Sequence, residues 1–208
     1  MDGSDVNHAP RLLLISGAAG VGKTVLSKEL ANNLGFDRIA STDTIREVLR
    51  TVSNVNENPA LHRSTFSKGS TGDAITDWMD ASAAVEPGIE AVISRSRREG
   101  IDLILEGAHI IPSNRILSDW RNQGGVAIGV CLTLDNKEIH ESRIVEREKN
   151  SHRGSSRYLA AFSRIRTIQS GLITKAKGSS WKIIDTHLQG DNINRIRQWF
   201  DEEWYKKR

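Results

Sequence analysis

Apolar residues along the chain follow two rhythms. The short apolar runs at 11–16 (RLLLIS) and 126–134 have the length and continuity of strands buried on both faces of a parallel sheet, and further short strands are expected at 37–40, 101–105 and 181–185. Between these runs the apolar positions recur at helical spacing. Val25, Leu26, Leu30, Ala31 and Leu34 do so ahead of the helix stop Gly35, and Ile45, Val48 and Leu49 follow a start near Thr42 or Asp43. The same spacing covers about 71–100, 136–149 and 158–177, and Ile193, Ile196, Trp199, Phe200 and Trp204 line one face of a closing helix. Pro87-Gly88 predicts a break or kink inside the third of these helices, and residues 52–70, with Asn54, Asn56, Asn58, Pro59 and Gly69, predict irregular chain. Five strands alternating with helices predict an α/β domain: a five-stranded parallel sheet covered by helices on both faces, with ligands at the carboxyl ends of the strands. The expected organisation is a flexible tail over 1–10 and one domain over 11–208.

The first strand runs straight into Gly17, Ala18, Ala19, Gly20, Val21, Gly22, Lys23 and Thr24, a G-x-x-x-x-G-K-T sequence between a strand and a helix. Each part of such a loop has a physical task. Glycines let backbone N–H groups close on phosphates, and the helix N-terminus adds positive potential. Lys23 reaches the β- and γ-phosphates of a nucleoside triphosphate and Thr24 ligates Mg²⁺. ATP and Mg²⁺ are therefore the expected cofactors, and these eight residues the core of the nucleotide site.

Composition then narrows the class. With 38% hydrophobic and 26% charged residues the balance is globular, and no apolar stretch is long enough to span a bilayer. The first ten residues lack a secretory signal, and the single cysteine, Cys131, lies in an apolar run, so a cytoplasmic protein with a buried structural thiol is expected. A net charge of +3 and a pI near 9.1 suit nucleic acid and also suit a pocket for several phosphates. The absence of a clear N-K-x-D guanine motif and the clustering of arginines late in the chain put a nucleic-acid-stimulated ATPase behind the small-molecule reading.

Beside the loop, the second strand delivers Ser41-Thr42-Asp43-Thr44-Ile45-Arg46. Asp43 can accept the proton of an acceptor hydroxyl or hold a Mg²⁺-bound water, and Arg46 can grip an anion bidentately. The plainer reading makes Asp43 an N-cap and the two residues a surface i,i+3 pair. The third strand ends at Glu106-Gly107-Ala108-His109, where a carboxylate supports the metal of a phosphate site and His109 either contacts substrate or makes a structural hydrogen bond. Arg143 and Arg147 share a helix face ahead of a polar loop with Arg153 and Arg157, with Arg164 and Arg166 beyond. Such a cluster suits a short lid over about 147–158 that neutralises the transferring phosphoryl group and excludes water, although a solvated face paired with Glu146 and Glu148 accounts for part of it.

With these residues in view, the sequence resembles the archaeal-type 2-phosphoglycerate kinases, related in fold to adenylate and shikimate kinases. The likeness rests on STDTIREVLR (41–50), PALHRSTF (59–66), VEPGIEAVI (85–93), EGAHIIP (106–112) and RYLAAFSRIRTIQ (157–169). It implies a P-loop kinase fold and ATP-dependent phosphorylation of the 3-hydroxyl of 2-phosphoglycerate to 2,3-bisphosphoglycerate, and it adds weight to His62, Ser64 and His109 as substrate residues. Many members of that family carry an N-terminal module resembling a regulatory nucleotide-binding unit; here the phosphate loop begins at residue 17, and no such regulation is expected. The aromatic character expected after the LH-x-S segment is missing around 66–76, so another hydroxylated metabolite, a nucleoside or a nucleotide are alternative acceptors. The site expected is Lys23, Asp43 and Arg147 for catalysis, and the loop 17–24 with Arg143 for ATP. Asp43, Arg46, His62, Ser64, His109, Arg153 and Arg157 would hold the acceptor, and Thr24 and Glu106 the metal. The partners are a nucleoside triphosphate and a small anionic hydroxylated substrate; a homodimer is compatible with the chain, and no membrane or nucleic acid is expected.

Overall fold

The computed structural model describes residues 9–149, 154–188 and 190–206. In chain order the elements are β1 (Arg11–Gly17), α1 (Lys23–Leu34), β2 (Arg38–Ser41), α2 (Thr42–Thr51), α3 (Ala74–Glu99), β3 (Leu103–Gly107), α4 (Arg115–Asn122), β4 (Val126–Thr133), α5 (Lys137–Lys149), α6 (Ser156–Ala160), α7 (Phe162–Gly178), β5 (Lys182–Asp185) and α8 (Asn192–Lys206). The sheet order is β2-β3-β1-β4-β5, and every pairing is parallel.

β1 lies at the centre because its whole run from Leu12 to Gly17 is buried, which requires cover on both faces. One layer is α1, packed on β1 and β3 and against α8; the other is α7, packed on β1 and β4 and against α3. Leu12, Leu13, Leu14 and Ile15 join Leu103, Ile104, Leu105, Val130 and Leu132 in the core. Cys131 is fully buried, and burial pushes its thiol up to about 12, so it packs as a small apolar side chain. Among the described residues no helix is long and apolar enough to cross a membrane.

Three elements differ from the reading of the sequence. Helix α3 passes through Pro87 unbroken. Proline removes one backbone hydrogen bond, but Trp78, Ala81, Val85, Ile89 and Ile93 form a continuous buried stripe along the helix, and that burial outweighs one bond. Gly88 beside it is needed for packing: a Cβ there would overlap the Ile45 side chain of α2. The expected helix over 158–177 is two, α6 and α7, divided at Ala161. Helix α4 was not legible at all. With eight residues it holds too few apolar positions to show a period, yet Leu117 and Trp120 are buried.

Of the expected N-terminal tail, residues 1–8 lie outside the described residues. Ala9 packs against the core, and the Pro10 carbonyl accepts from the Trp120 indole at 2.9 Å and from Val126 N–H at 3.0 Å. Residues 9 and 10 are thus fixed against the domain ahead of the first strand.

Candidate active site

The carboxyl ends of β1, β3 and β4 open under the phosphate loop. Gly20 and Gly22 take left-handed backbone angles, φ 87° and 93°, which other residues adopt only under strain. At Gly20 a side chain would also collide with Ile144 of α5. The loop is held from that helix by His140, whose Nε2 lies 2.7 Å from the Ala19 carbonyl. A carbonyl only accepts, so Nε2 carries the proton, leaving Nδ1 to accept from Arg166 at 3.4 Å. Burial lowers the pKa of His140, which keeps this neutral tautomer in place.

Lys23 Nζ donates to the Ala18 carbonyl at 2.8 Å. Burial lowers its pKa, opposed by the charges of Glu106 and Asp43. Thr24 Oγ1 donates to Glu106 Oε1 at 2.9 Å, so the end of β3 and the start of α1 meet as a pair of oxygen donors. Over the loop lies a cleft of about 500 Å³, lined on its far side by Arg143, Arg147, Thr186 and Asn192. Arg143 donates to the hydroxyl and the carbonyl of Thr186 at 2.8 and 3.0 Å.

A second cavity, about 310 Å³ and strongly polar, opens between the starts of α1 and α2, the end of β3, residues 64–66 and the start of α6. Its lining includes Asp43, Arg46, Ser64, Glu106 and Arg157. The N-cap of α2 is Ser41, whose hydroxyl accepts from Asp43 N–H; the Asp43 carboxylate is left free for the cavity and is 78% exposed. The i,i+3 pair of Asp43 with Arg46 is not formed: Arg46 donates to Glu47 at 2.7 Å and to the Arg63 carbonyl at 2.9 Å. Lys23, Thr24 and Arg147 line both cavities, so the two spaces meet where the end of a bound triphosphate would lie.

Not every expected residue comes to this junction. His62 turns away, with Nε2 3.1 Å from the Ser53 carbonyl, where it ties the irregular segment to itself. His109 lines neither cavity. It is buried beneath Asp43, with Nδ1 2.9 Å from Thr42 Oγ1 and 3.8 Å from the Asp43 carboxylate. Burial, opposed by Asp43, pushes its pKa down to about 4, so it is neutral near pH 7. Gly107 permits this contact, because a Cβ there would overlap Thr42.

Arg164 and Arg166 belong to the frame of the fold. Arg164 donates to the Phe66 and Gly72 carbonyls at 3.1 and 2.7 Å and to Asp77 at 2.9 Å, while Arg166 donates to the carbonyls of Leu134 and Asp135. Arg153 lies outside the described residues.

Several site residues gave no signal in the sequence. Phe66 and Tyr158 line the second cavity and pack with ring centroids 5.0 Å apart. Asp77, fully buried in α3, accepts from Gly69 N–H at 2.7 Å and the Thr71 hydroxyl at 2.8 Å. These bonds, that from Gly69 foremost, hold its carboxyl well below the usual range, and they fasten the segment that supplies Ser64 and Phe66. Phe66 and Tyr158 meet from distant parts of the chain, and the Gly69 and Thr71 partners of Asp77 lie in irregular chain, so no regular spacing announces either.

The resemblance to 2-phosphoglycerate kinases extends over most of the chain. It is 33% identical over 196 residues to the 2-phosphoglycerate kinase of Methanocaldococcus jannaschii, covering 91% of this chain and 63% of that protein. With that of Methanococcus vannielii it shares 34% over 196 residues, covering 88% of this chain and 62% of that protein. The chain therefore spans a little under two thirds of the length of these curated relatives. In three dimensions it is similar to a structure from Chloroflexus aurantiacus, with TM-score 0.57, 19% identity, and 94% of this chain and 99% of that one covered. It is also similar to shikimate kinase from Acinetobacter baumannii, with TM-score 0.52, 15% identity and coverage of 93% and 94%. These likenesses establish the α/β P-loop kinase fold, shikimate kinase-like in plan. By its phosphate loop, its sheet order and a match over residues 13–168, the chain belongs to the AAA domain family (AAA_18).

Proposed function

We propose that this protein is an ATP-dependent small-molecule kinase that transfers the γ-phosphoryl group to the free hydroxyl of 2-phosphoglycerate, yielding 2,3-bisphosphoglycerate and ADP. The observation that carries the reading is the junction of two cavities at Lys23, Thr24 and Arg147. One space is backed by a phosphate loop. The other is lined by Asp43, Arg46, Ser64 and Arg157, a set suited to a hydroxyl flanked by anions. The sequence likeness to 2-phosphoglycerate kinases supports the choice of acceptor.

The triphosphate lies along 17–24, with Lys23 against the β- and γ-phosphates and Arg143 in the far part of the cleft. Thr24 and Glu106 fit Mg²⁺, since they offer hard oxygen donors 2.9 Å apart. Among the described residues no three His, Cys, Asp or Glu side chains group to hold a metal alone, in keeping with an ion that is retained mainly by nucleotide phosphates. When bound, Mg²⁺ neutralises charge on the phosphate oxygens. Asp43 accepts the acceptor's hydroxyl proton as the new P–O bond forms and the bond to the β-bridging oxygen breaks. Arg147 faces the transferring group, and Arg46, Ser64 and Arg157 hold the acceptor's anions. This arrangement works by position and charge, which is most of what phosphoryl transfer asks of a protein. The buried thiol of Cys131 supports a cytoplasmic setting.

The test is a mass-spectrometric screen of hydroxy acids, phosphorylated and not, together with nucleosides and nucleotides, each with ATP and Mg²⁺. A gain of one phosphoryl group on 2-phosphoglycerate ahead of the others is expected. Preference for a nucleoside or nucleotide would reject the acceptor assigned here, and transfer to none would reject the kinase reading.

A further inference from the structure

Arg147 and Arg157 enter the acceptor cavity from different elements, the end of α5 and the single turn of α6. Long arginine side chains have large rotamer freedom, and holding them before a ligand arrives lowers the ordering cost of binding. Tyr158 touches both. The Arg147 guanidinium carbon lies 4.7 Å from its ring centroid and that of Arg157 lies 4.5 Å away. Arg157 Nη2 also donates to the Tyr158 hydroxyl at 2.6 Å. The ring is itself fixed, being only 8% exposed and packed on Phe66 at 5.0 Å. Phe66 in turn belongs to the segment that Arg164 and Asp77 fasten. Arg147 has a second support in Glu148, which accepts from its Nε at 2.8 Å; Arg157 has a more distant one in Phe66, 5.9 Å from its guanidinium carbon.

We propose that Tyr158 is a positioning residue, which holds Arg147 and Arg157 as a preformed two-arginine clamp for the anionic acceptor and the transferring phosphoryl group. This rests on the kinase reading above for what the clamp binds, but not for the clamp itself. The two arginines depend on different parts of Tyr158: Arg147 on the ring face, Arg157 on the face and the hydroxyl. Their contributions are therefore separable by substitution.

The experiment compares Tyr158→Phe with Tyr158→Leu, and with the longer, more adaptable Tyr158→Met should the branched leucine pack poorly. Two readouts are taken at a temperature where all variants are folded: steady-state kinetics with ATP and 2-phosphoglycerate, and ¹⁵N relaxation of the arginine Nε–Hε groups. Tyr158→Phe is expected to raise the acceptor KM about threefold with kcat unchanged, and to loosen Arg157 alone. Tyr158→Leu or →Met is expected to loosen both arginines and lower kcat/KM for the acceptor about 100-fold, with the nucleotide KM within about twofold of wild type. A merely structural tyrosine would instead reduce the folded fraction and leave these constants and both arginines unchanged; that result overturns the proposal. If the wild type phosphorylates nothing, the kinase reading falls, and arginine relaxation alone decides the clamp. Loosening of Arg157 in Tyr158→Phe then supports it, and unaltered order contradicts it, even should the leucine and methionine variants not fold.

Discussion

The donor side of the cleft is built around one continuous loop: Gly20 and Gly22 set its path, Lys23 and Thr24 follow at the helix start, and α5 braces it through His140 and lines the far wall with Arg143 and Arg147. On the acceptor side, Asp43 and Arg46 come from α2, Ser64 and Phe66 from an irregular segment, Glu106 from β3, and Arg157 and Tyr158 from α6. The first is a local device, which tolerates little change within its own sequence. The second depends on supports remote from it, such as Asp77 and Arg164, which never touch the cavity. A damaged donor side should therefore stop transfer outright, whereas damage to the acceptor side should separate into chemistry, binding and stability.

Lys23→Ala gives the largest expected effect, a loss of transfer of about 10³-fold or more with an unchanged unfolding curve. Asp43→Asn should lower kcat by about 10²–10⁴-fold at saturating acceptor, with the nucleotide KM little altered. Near-normal turnover in that variant would remove Asp43 as the base and leave the acceptor side a binding surface only. Arg46→Ala should act mainly on binding, raising the acceptor KM about 10–100-fold in steady-state assays.

Two smaller effects probe the supports. Gly107→Ala should cost about 1–3 kcal/mol in a denaturant titration, because the new Cβ displaces Thr42 and with it His109. His109 itself sets a pH dependence. Its pKa is lowered on folding from its ordinary 6.5 to about 4, so between those values the unfolded chain binds more protons than the folded one. The His109 contribution is therefore favourable above about pH 6.5 and is lost as pH falls through that window toward 4. Replacing His109 with Gln should flatten this part of the stability profile; an unchanged slope would show that His109 is not the group responsible.

The same contrast explains what was legible in the sequence. Apolar runs between turn signals made the strands legible, most clearly the buried β1 and β4 and least clearly the edge strand β2, which buries no residue, and the loop at 17–24 marked the donor site, because both are written in neighbouring residues. Asp43, Arg46 and Glu106 were legible because they directly follow or end strands, and the topology carries strand ends to one edge. His62 was misread as a cleft residue, since nothing nearby in sequence reveals that its partner is the Ser53 carbonyl. Arg164 and Arg166 look like members of a cationic lid as a string of letters, yet each is spent on carbonyls. Tyr158 and Asp77 were missed because their partners fall outside any regular period: Phe66 meets Tyr158 across the fold, Arg164 reaches Asp77 from α7, and Gly69 and Thr71 bond Asp77 from irregular chain. The proline at 87 shows how burial of a long stripe overrides a strong local signal.

The central claim is that the two cavities form one transfer site across Lys23, Thr24 and Arg147. It is tested most directly by following ATP, Mg²⁺, 2-phosphoglycerate and the protein by ³¹P NMR. A second phosphomonoester resonance growing in equimolar with ADP is expected, and Lys23→Ala should abolish both signals together. ADP accompanied by inorganic phosphate, with the acceptor unmodified, would contradict it.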